Sequence, residues 1–199
     1  MKTKKQENSW TFYTKNSLVK LEGTSKEIIE TFGNCNQDFF KSKAGEDKTN
    51  LIKKKLLVLG IKLHNKVCAH FPIRINDTLP KHENRELLFD MHWYKQGIEV
   101  FSNKSLELAM ECEWKQDKNY EKRNTFAGIK YDFQKLIFCN AKLRLMIFKI
   151  KHEDDLKVLG NYFENEISNC ENLEANARFL FVAFDSKRKS FHYKEIIRK

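Results

Sequence analysis

The sequence of 199 residues contains only 2 prolines and 7 glycines, and it has no apolar run long enough for a signal peptide or a membrane helix. At 41% apolar and 32% charged residues, the composition is that of an ordinary folded domain and argues against a disordered chain. A chain of this length can bury one good core. We therefore expect a single soluble domain over residues 1–199 and no membrane partner.

Several chemical signatures are also missing. The cysteines are odd in number, 5 in all, and form no C-x-x-C pair, so they predict neither a disulfide framework nor a cysteine zinc site. No H-E-x-x-H, Walker loop, G-x-S-x-G or Rossmann glycine pattern occurs, which argues against zinc hydrolases, ATPases, serine esterases and dinucleotide enzymes. The cysteine usage fits a reducing compartment, and the cytoplasm is the expected location.

The net charge, by contrast, is high and positive. Lysine and arginine number 37 against 27 acidic residues, which gives a net charge of +10. Such a field favours a polyanionic partner. A coding bias toward lysine would produce the same charge, so the charge alone points only weakly to nucleic acid.

Apolar spacing predicts an α/β domain with a mixed central sheet covered by helices on both faces. Helices are predicted at 24–33, 47–69, 125–140 and 154–170, and strands at 10–13, 17–21, 87–94, 106–114, 143–150, 179–184 and 189–196. The connection between the strands at 87–94 and 106–114 has room for a small strand at 98–101, and 115–124 is predicted as a loop. The last strand suits a sheet edge. We assign 1–46 to an N-terminal extension, 47–184 to the core and 185–199 to a C-terminal strand.

The strand predicted at 106–114 carries an unusual acidic pattern. A two-residue period places Glu107, Ala109, Glu111 and Glu113 on one face. Neighbouring carboxylates repel, and a bound hard cation is the cheapest way to neutralise them. Asp90 is a lone acid in an apolar strand, where a charge has no packing role. If the two strands pair as a hairpin, Asp90 lies opposite Glu111.

One acid on a strand, followed by two charged positions at i and i+2 on the next, resembles the active-site motif of the PD-(D/E)xK nuclease superfamily. The resemblance extends over about 47–184, and locally the chain is similar to a group of uncharacterised bacterial proteins assigned to that fold. It implies a restriction-endonuclease-like αβββαβ core. Asp90 matches the family's aspartate and Glu111 its second acid. Glu113 stands where lysine is usual, an E-x-E variant that some restriction enzymes of the superfamily carry.

The resemblance implies metal-assisted hydrolysis of a phosphodiester bond. Mg²⁺, with Mn²⁺ as an expected substitute, would be held by Asp90, Glu111 and the backbone carbonyl of Cys112, and would activate the attacking water. Glu113 would bind a second ion or orient that water. The family's lysine would need a substitute, and Lys135 on the helix after these strands is preferred to Lys115.

Other residues could assist such a site. Glu86 is the preferred stand-in for the acid that the family carries on a preceding helix, with Glu83 or an acid nearer the N-terminus as the alternatives. Asp132 accompanies Lys135 on its helix. His92, two residues after Asp90, could contact a phosphate, but a hydrogen-bonded structural histidine is the more ordinary reading.

These residues predict a Mg²⁺-dependent DNA endonuclease acting in restriction, repair or defence. They do not distinguish DNA from RNA, and cutting both strands of a duplex would favour a homodimer. The alternative is a catalytically inactive module on the same fold that binds nucleic acid or a protein partner.

Overall fold

The computed structural model describes residues 9–14, 16–41, 45–86, 88–97, 106–115 and 126–199. The helices are α1 (Gly23–Lys41), α2 (Gly45–Lys62), α3 (Ile73–Asn76), α4 (Ala127–Ile137) and α5 (Asp154–Asn169), with a 3₁₀ turn at Ser17–Lys20. The strands are β1 (Thr11–Phe12), β2 (Asn65–Ala69), β3 (Met91–Lys95), β4 (Leu106–Glu113), β5 (Leu143–Ile150), β6 (Arg178–Asp185) and β7 (Ser190–Ile197). In these ranges, no helix is long and apolar enough to cross a membrane.

The strands form one sheet of seven in the order β1-β7-β6-β5-β4-β3-β2. Strands β2, β3 and β4 are antiparallel neighbours. β4, β5 and β6 are parallel, so the chain returns across the sheet through α4 and then α5. β7 and β1 close the other side antiparallel. The prediction of an α/β fold with a mixed sheet is confirmed.

Helices cover both faces of this sheet because its central strands are apolar on both sides. On one face, Leu145 and Val182 pack with Phe32 of α1 and Leu56 of α2. On the opposite face, neighbouring residues of the same strands pack with side chains of α4 and α5, among them Phe133. Because the parallel strands are buried on both faces, their sequences read as nearly continuous apolar runs rather than as alternation.

The predicted helix at 47–69 is wrong over its last seven residues, 63–69. α2 ends at Lys62, and the chain then turns through His64, whose φ of 57° lies in the left-handed region. Residues Asn65–Ala69 form β2, with Val67 opposite Trp93 of β3. Leu63 and Val67 continue the helical spacing of α2, which is why the helix was extended over a strand.

The N-terminal predictions also need correction. The helix expected to end at Gly33 continues to Lys41. A Cβ at position 33 would lie 1.8 Å from Tyr13 Oη, so this glycine allows a close contact rather than a helix end. The strand expected at 17–21 is a 3₁₀ turn, and only Thr11–Phe12 of the strand expected at 10–13 is paired.

The remaining elements lie close to their predicted bounds, with three qualifications. The strand expected from residue 87 begins at Met91, so Asp90 precedes it. The predicted small strand at 98–101 and residues 116–124 of the predicted loop lie outside the described residues. The C-terminal strand is β7, but β1 pairs beyond it and takes the edge position.

The close contact between α2 and the sheet predicts that a larger residue at Gly60 destabilises the protein. A Cβ there would lie 2.7 Å from Val67 Cγ2 and 2.9 Å from Trp93 Cε2. Gly60→Ala should therefore lower the free energy of unfolding by about 1–3 kcal/mol through overpacking, although alanine is the better helix former by about 1 kcal/mol. Urea denaturation measures the change.

The control is Gly45→Ala in the same helix, where the nearest atom to an added Cβ is Trp114 Cβ at 3.4 Å. That variant should be at least as stable as the wild type. Equal or increased stability of Gly60→Ala would show that α2 does not pack this closely.

Candidate functional site

The candidate site lies at one end of three adjacent strands, where β2 and β4 end and β3 begins. Met91 of β3 pairs with Met110 of β4, so the preceding residue, Asp90, comes next to Glu111. The backbone N–H of Cys112 donates to Asp90 Oδ2 at 2.8 Å. The strand pairing and this hydrogen bond bring Asp90 and Glu111 together, as the sequence predicted.

The alternation of β4 directs the second carboxylate to the side of the sheet that α4 covers. Leu108 and Met110 pack in the core beneath α1 and α2, whereas Ala109 packs with α4 and α5. Glu111 shares the face of Ala109 and is only 3% exposed. Glu111 is therefore not part of a solvated strand face.

An ammonium group from α4 meets Glu111. Lys135 Nζ lies 2.6 Å from Glu111 Oε1 and 2.9 Å from Asp132 Oδ1. Lys115 follows β4 as an exposed residue, and its backbone N–H donates to Glu113 Oε1 at 2.6 Å. Of the two lysines considered as substitutes, the structure thus places Lys135, not Lys115, in contact with Glu111.

Glu113 lies at the beginning of α4. A Cβ at Gly128, in the first turn of that helix, would be 2.8 Å from Glu113 Oε2, so the glycine makes room for the carboxylate. The partial positive charge at a helix N-terminus attracts an acidic side chain. Glu113 is thus one step further along the strand face than Glu111, and in a more polar setting.

Burial dominates the electrostatics of the two central acids. It raises the pKa of Glu111 to about 8, and the negative charges of Asp90 and Asp132 act in the same direction against the hydrogen bond from Lys135. Burial also raises the pKa of Asp90, opposed by Lys53 and by the Cys112 N–H. For Lys135, burial alone would lower the pKa, but its contacts with Glu111 and Asp132 outweigh burial and raise it.

Lys53 of α2 is a site residue that the sequence analysis did not identify. It is 4% exposed, forms an ion pair with Glu86, and its charge lowers the pKa of Asp90. Its Nζ also donates to the carbonyl oxygen of His70 at 3.4 Å. The sequence held one sign of this role: Lys53 lies three residues before Leu56, and that spacing puts it on the packed side of the helix.

Glu86, the predicted stand-in for a helix acid, lies in an irregular segment before β3 rather than on a helix. It reaches the site through its ion pair with Lys53. Glu83, the alternative, pairs with Lys66 and Arg85 beside β2. Of these two acids, Glu86 is therefore the one whose charge acts on Asp90, and it pairs with the Lys53 that also acts on Asp90.

His92 is buried among aromatic rings. It is 1% exposed and makes edge-to-face contacts with Phe89 and Tyr94. Among the described residues, neither of its ring nitrogens has a hydrogen-bond partner, so the expectation of a hydrogen-bonded structural histidine is not met there. Burial lowers its pKa to about 4, against the attraction of Glu86. At neutral pH the ring is neutral.

The charges around Asp90 do not balance. Four carboxylates, those of Asp90, Glu111, Asp132 and Glu86, face two ammonium groups, those of Lys53 and Lys135. If all were ionised, the cluster would carry a surplus of two negative charges, the amount that one divalent cation neutralises. Carboxylate and carbonyl oxygens are also the donors that Mg²⁺ prefers.

The side-chain geometry limits the kind of metal site. Within the described ranges, no three histidine, cysteine, aspartate or glutamate side chains form a group that could hold a metal ion. Mg²⁺, however, is often bound through one or two protein carboxylates while water and substrate supply its other ligands. Asp90 and Glu111, with the backbone carbonyl of Cys112, fit that second pattern in donor chemistry and charge.

Comparison with known proteins adds no further constraint: no family model, curated protein or solved structure matches the chain.

The setting of His92 predicts a pH-dependent stability. An unfolded histidine binds a proton below its ordinary pKa of 6.5, whereas folded His92 binds one only below about 4. Stability should therefore fall as the pH is lowered through this window, by on the order of 3 kcal/mol in total. His92→Phe, which keeps an aromatic ring between Phe89 and Tyr94, should lose less stability on acidification.

Urea denaturation at pH 7, 6, 5 and 4 compares the two proteins, with His152→Gln as a control at an exposed histidine. The difference between wild type and His92→Phe should change steadily with pH, while the control follows the wild type. Parallel curves for His92→Phe and wild type would show that His92 does not resist protonation.

Proposed function

We propose that the protein is a metal-dependent endonuclease that hydrolyses phosphodiester bonds of DNA. The observation that carries this proposal is the juxtaposition of Asp90 and buried Glu111 across β3 and β4, with the Lys135 ammonium on Glu111. A carboxylate pair beside a positioned cation is suited to binding a divalent metal and a phosphate group together.

The order of elements around the site supports the proposal. α2 is followed by three antiparallel neighbours, β2, β3 and β4, and then by α4 and the parallel strand β5. Apart from the short helix α3 between β2 and β3, this order agrees with the αβββαβ order that the resemblance to PD-(D/E)xK nucleases implies. Asp90 comes directly before the second of these strands, and Glu111 lies near the end of the third, where the family's acids are expected.

Each residue has a distinct part in the proposed reaction. Asp90, Glu111 and the Cys112 carbonyl would hold Mg²⁺, which supplies Lewis-acid activation of water and phosphate when bound. The water oxygen would form a new bond to phosphorus as one of its protons passes to solvent, the phosphorus–oxygen bond to the leaving nucleotide would break, and the released oxygen would take a proton from solvent to become a hydroxyl group. Lys135 stabilises the negative charge that develops on the phosphate. Glu113, at the start of α4, orients the attacking water.

The wider biological assignment belongs to the same proposal. A net charge of +10 favours a polyanionic substrate. We place the enzyme in the cytoplasm, in restriction, repair or defence against foreign DNA, with two copies cooperating where both strands are cut. RNA is the alternative substrate.

Cleavage of supercoiled plasmid and of single-stranded DNA in Mg²⁺, Mn²⁺ or EDTA tests the activity. Wild type should cut with either metal and not in EDTA. Asp90→Asn and Glu111→Gln should each lower the rate by about 100-fold or more, because each removes a metal ligand or transition-state contact. Both variants should remain folded by circular dichroism.

The matched control is Glu107→Gln, on the same face of β4 but at its other end, where Glu107 pairs with Lys142. It should cut like the wild type. Undiminished cleavage by either Asp90→Asn or Glu111→Gln would refute the assigned site, and cleavage in EDTA would refute the metal requirement.

A second candidate is a non-catalytic module that binds nucleic acid. It is favoured by the contact that Lys135 already makes with both Glu111 and Asp132, and by the lack of a three-side-chain ligand group in the described ranges. In such a module the ammonium group would permanently replace the metal, and DNA binding would be salt-sensitive but indifferent to divalent cations.

Calorimetric titration with Mn²⁺ separates the two candidates. Because the pKa of Glu111 is about 8, metal binding by the enzyme must release its proton. Affinity should then rise by about tenfold per pH unit between pH 6 and pH 8 and level off above. Asp90→Asn should lose binding at every pH. Absence of Mn²⁺ binding to the wild type at pH 8 would favour the module.

A further inference from the structure

The outward side of α4 carries two of the most exposed aromatic rings in the described part of the chain. Tyr131 is 70% exposed, and Phe138, at the C-terminal cap of the helix, is 80% exposed. Leu88, two residues before Asp90, is 68% exposed. Most other large apolar side chains of the described ranges are packed in the two layers of core.

These two rings lie on one strip of the helix with a lysine between them. Lys135 is four residues after Tyr131 and three before Phe138, and such spacings share a helix face. At a rise of 1.5 Å per residue, the rings are about 10 Å apart along the axis. Lys135 Nζ lies 5.7 Å from the centroid of the Tyr131 ring. We call Tyr131, Lys135 and Phe138 the α4 strip.

The α4 strip is continuous with the candidate site. Tyr131 adjoins Asp132, and Lys135 contacts both Asp132 and Glu111. A phosphate bound at the carboxylates would therefore have the Lys135 ammonium on one side and the Tyr131 ring immediately beyond it. A ligand that extends from the site along α4 meets an aromatic face, a positive charge and a second aromatic face.

We propose that the α4 strip binds single-stranded nucleic acid by stacking unpaired bases on Tyr131 and Phe138, and that the site acts on single-stranded rather than duplex substrate. This inference rests on the proposed phosphodiesterase function. Aromatic rings that interleave with positive charge are the pattern by which proteins hold single strands, since every base offers a π-face and every nucleotide a phosphate. In a duplex those faces are already stacked and are not available to a helix surface.

The net charge of the protein agrees with a polyanionic ligand. Lys130 precedes Tyr131 in α4, with its Nζ over the Tyr162 ring, and Lys142 follows the strip as an exposed residue that pairs with Glu107. With a net charge of +10 on the whole protein, attraction of a phosphate chain toward α4 needs no additional basic motif. An apolar protein partner would not require the lysines.

Binding is measured by fluorescence anisotropy with a labelled 12-nucleotide single strand and with a duplex of the same sequence, in EDTA and low salt so that no cleavage occurs. Wild type should bind the single strand more tightly. Tyr131→Ala and Phe138→Ala should each weaken single-strand binding by about fivefold or more, the lower end of the effect of removing one stacked base. Duplex binding should change little.

Tyr131→Phe keeps the aromatic face and should bind as the wild type does, whereas a role for the hydroxyl group would make it resemble Tyr131→Ala. Val158→Ala, at an exposed apolar residue of α5, is the control for loss of surface area and should have no effect. Thermal melting checks that the variants fold.

The inference is overturned if Tyr131→Ala and Phe138→Ala bind the single strand within twofold of wild type, if the duplex binds at least as tightly, or if neither oligonucleotide binds, which would indicate a protein partner for the strip. Because the assay omits metal, single-strand binding without metal-dependent cleavage of single-stranded DNA would support the strip and refute the nuclease. Cleavage without stacking effects would do the reverse.

Discussion

The register between β3 and β4 is the constraint on which the site depends. With Met91 opposite Met110, Asp90 reaches the Cys112 N–H and stands beside Glu111. A shift of one residue would turn every side chain of a strand to the opposite face, placing Glu111 under α2 and Met110 under α4. The register is held because both faces of these strands are buried, so the apolar pattern that builds the core also positions two charged groups.

The sequence predicted this part of the molecule well because it depends on local alternation. The period of two along β4 identified the face of Glu111, and the isolation of Asp90 among apolar residues identified its partner. What the sequence analysis missed was a side chain and a strand that reach the site only through tertiary packing, namely Lys53 and β2. Lys53 resembled its neighbours Lys54 and Lys55, and its three-residue spacing from Leu56 was the one sign that it faces the sheet. β2 was hidden because Leu63 and Val67 extend the helical spacing, while the left-handed turn at His64 leaves no clear mark in sequence.

The difference between local sequence pattern and tertiary packing also explains why Lys135, and not Lys115, contacts Glu111. Lys115 is nearer to Glu113 in sequence, yet the strand has ended there and the residue is exposed. α4 begins beside Glu113, as the closeness of Gly128 to that carboxylate shows, and then passes back along β4. Two helical turns bring Lys135 to Glu111. Lys135 of this crossover helix thus provides a positive charge that β4 itself lacks. Its ammonium group is in direct contact with the Glu111 carboxylate.

A purely structural account of the cluster must explain why Glu111 is buried at all. Its ion pair with Lys135 accounts for one charge, and a glutamine could accept the same hydrogen bond without the desolvation that raises the pKa of Glu111 to about 8. Asp90 and Asp132 make that burial less favourable still. A buried ion pair is weak evidence for stability, and here the acids outnumber the bases. The surplus of acids is unfavourable in the protein alone, and the divalent cation that we propose would offset it, which is the physical reason for proposing a binding site rather than a structural ion pair.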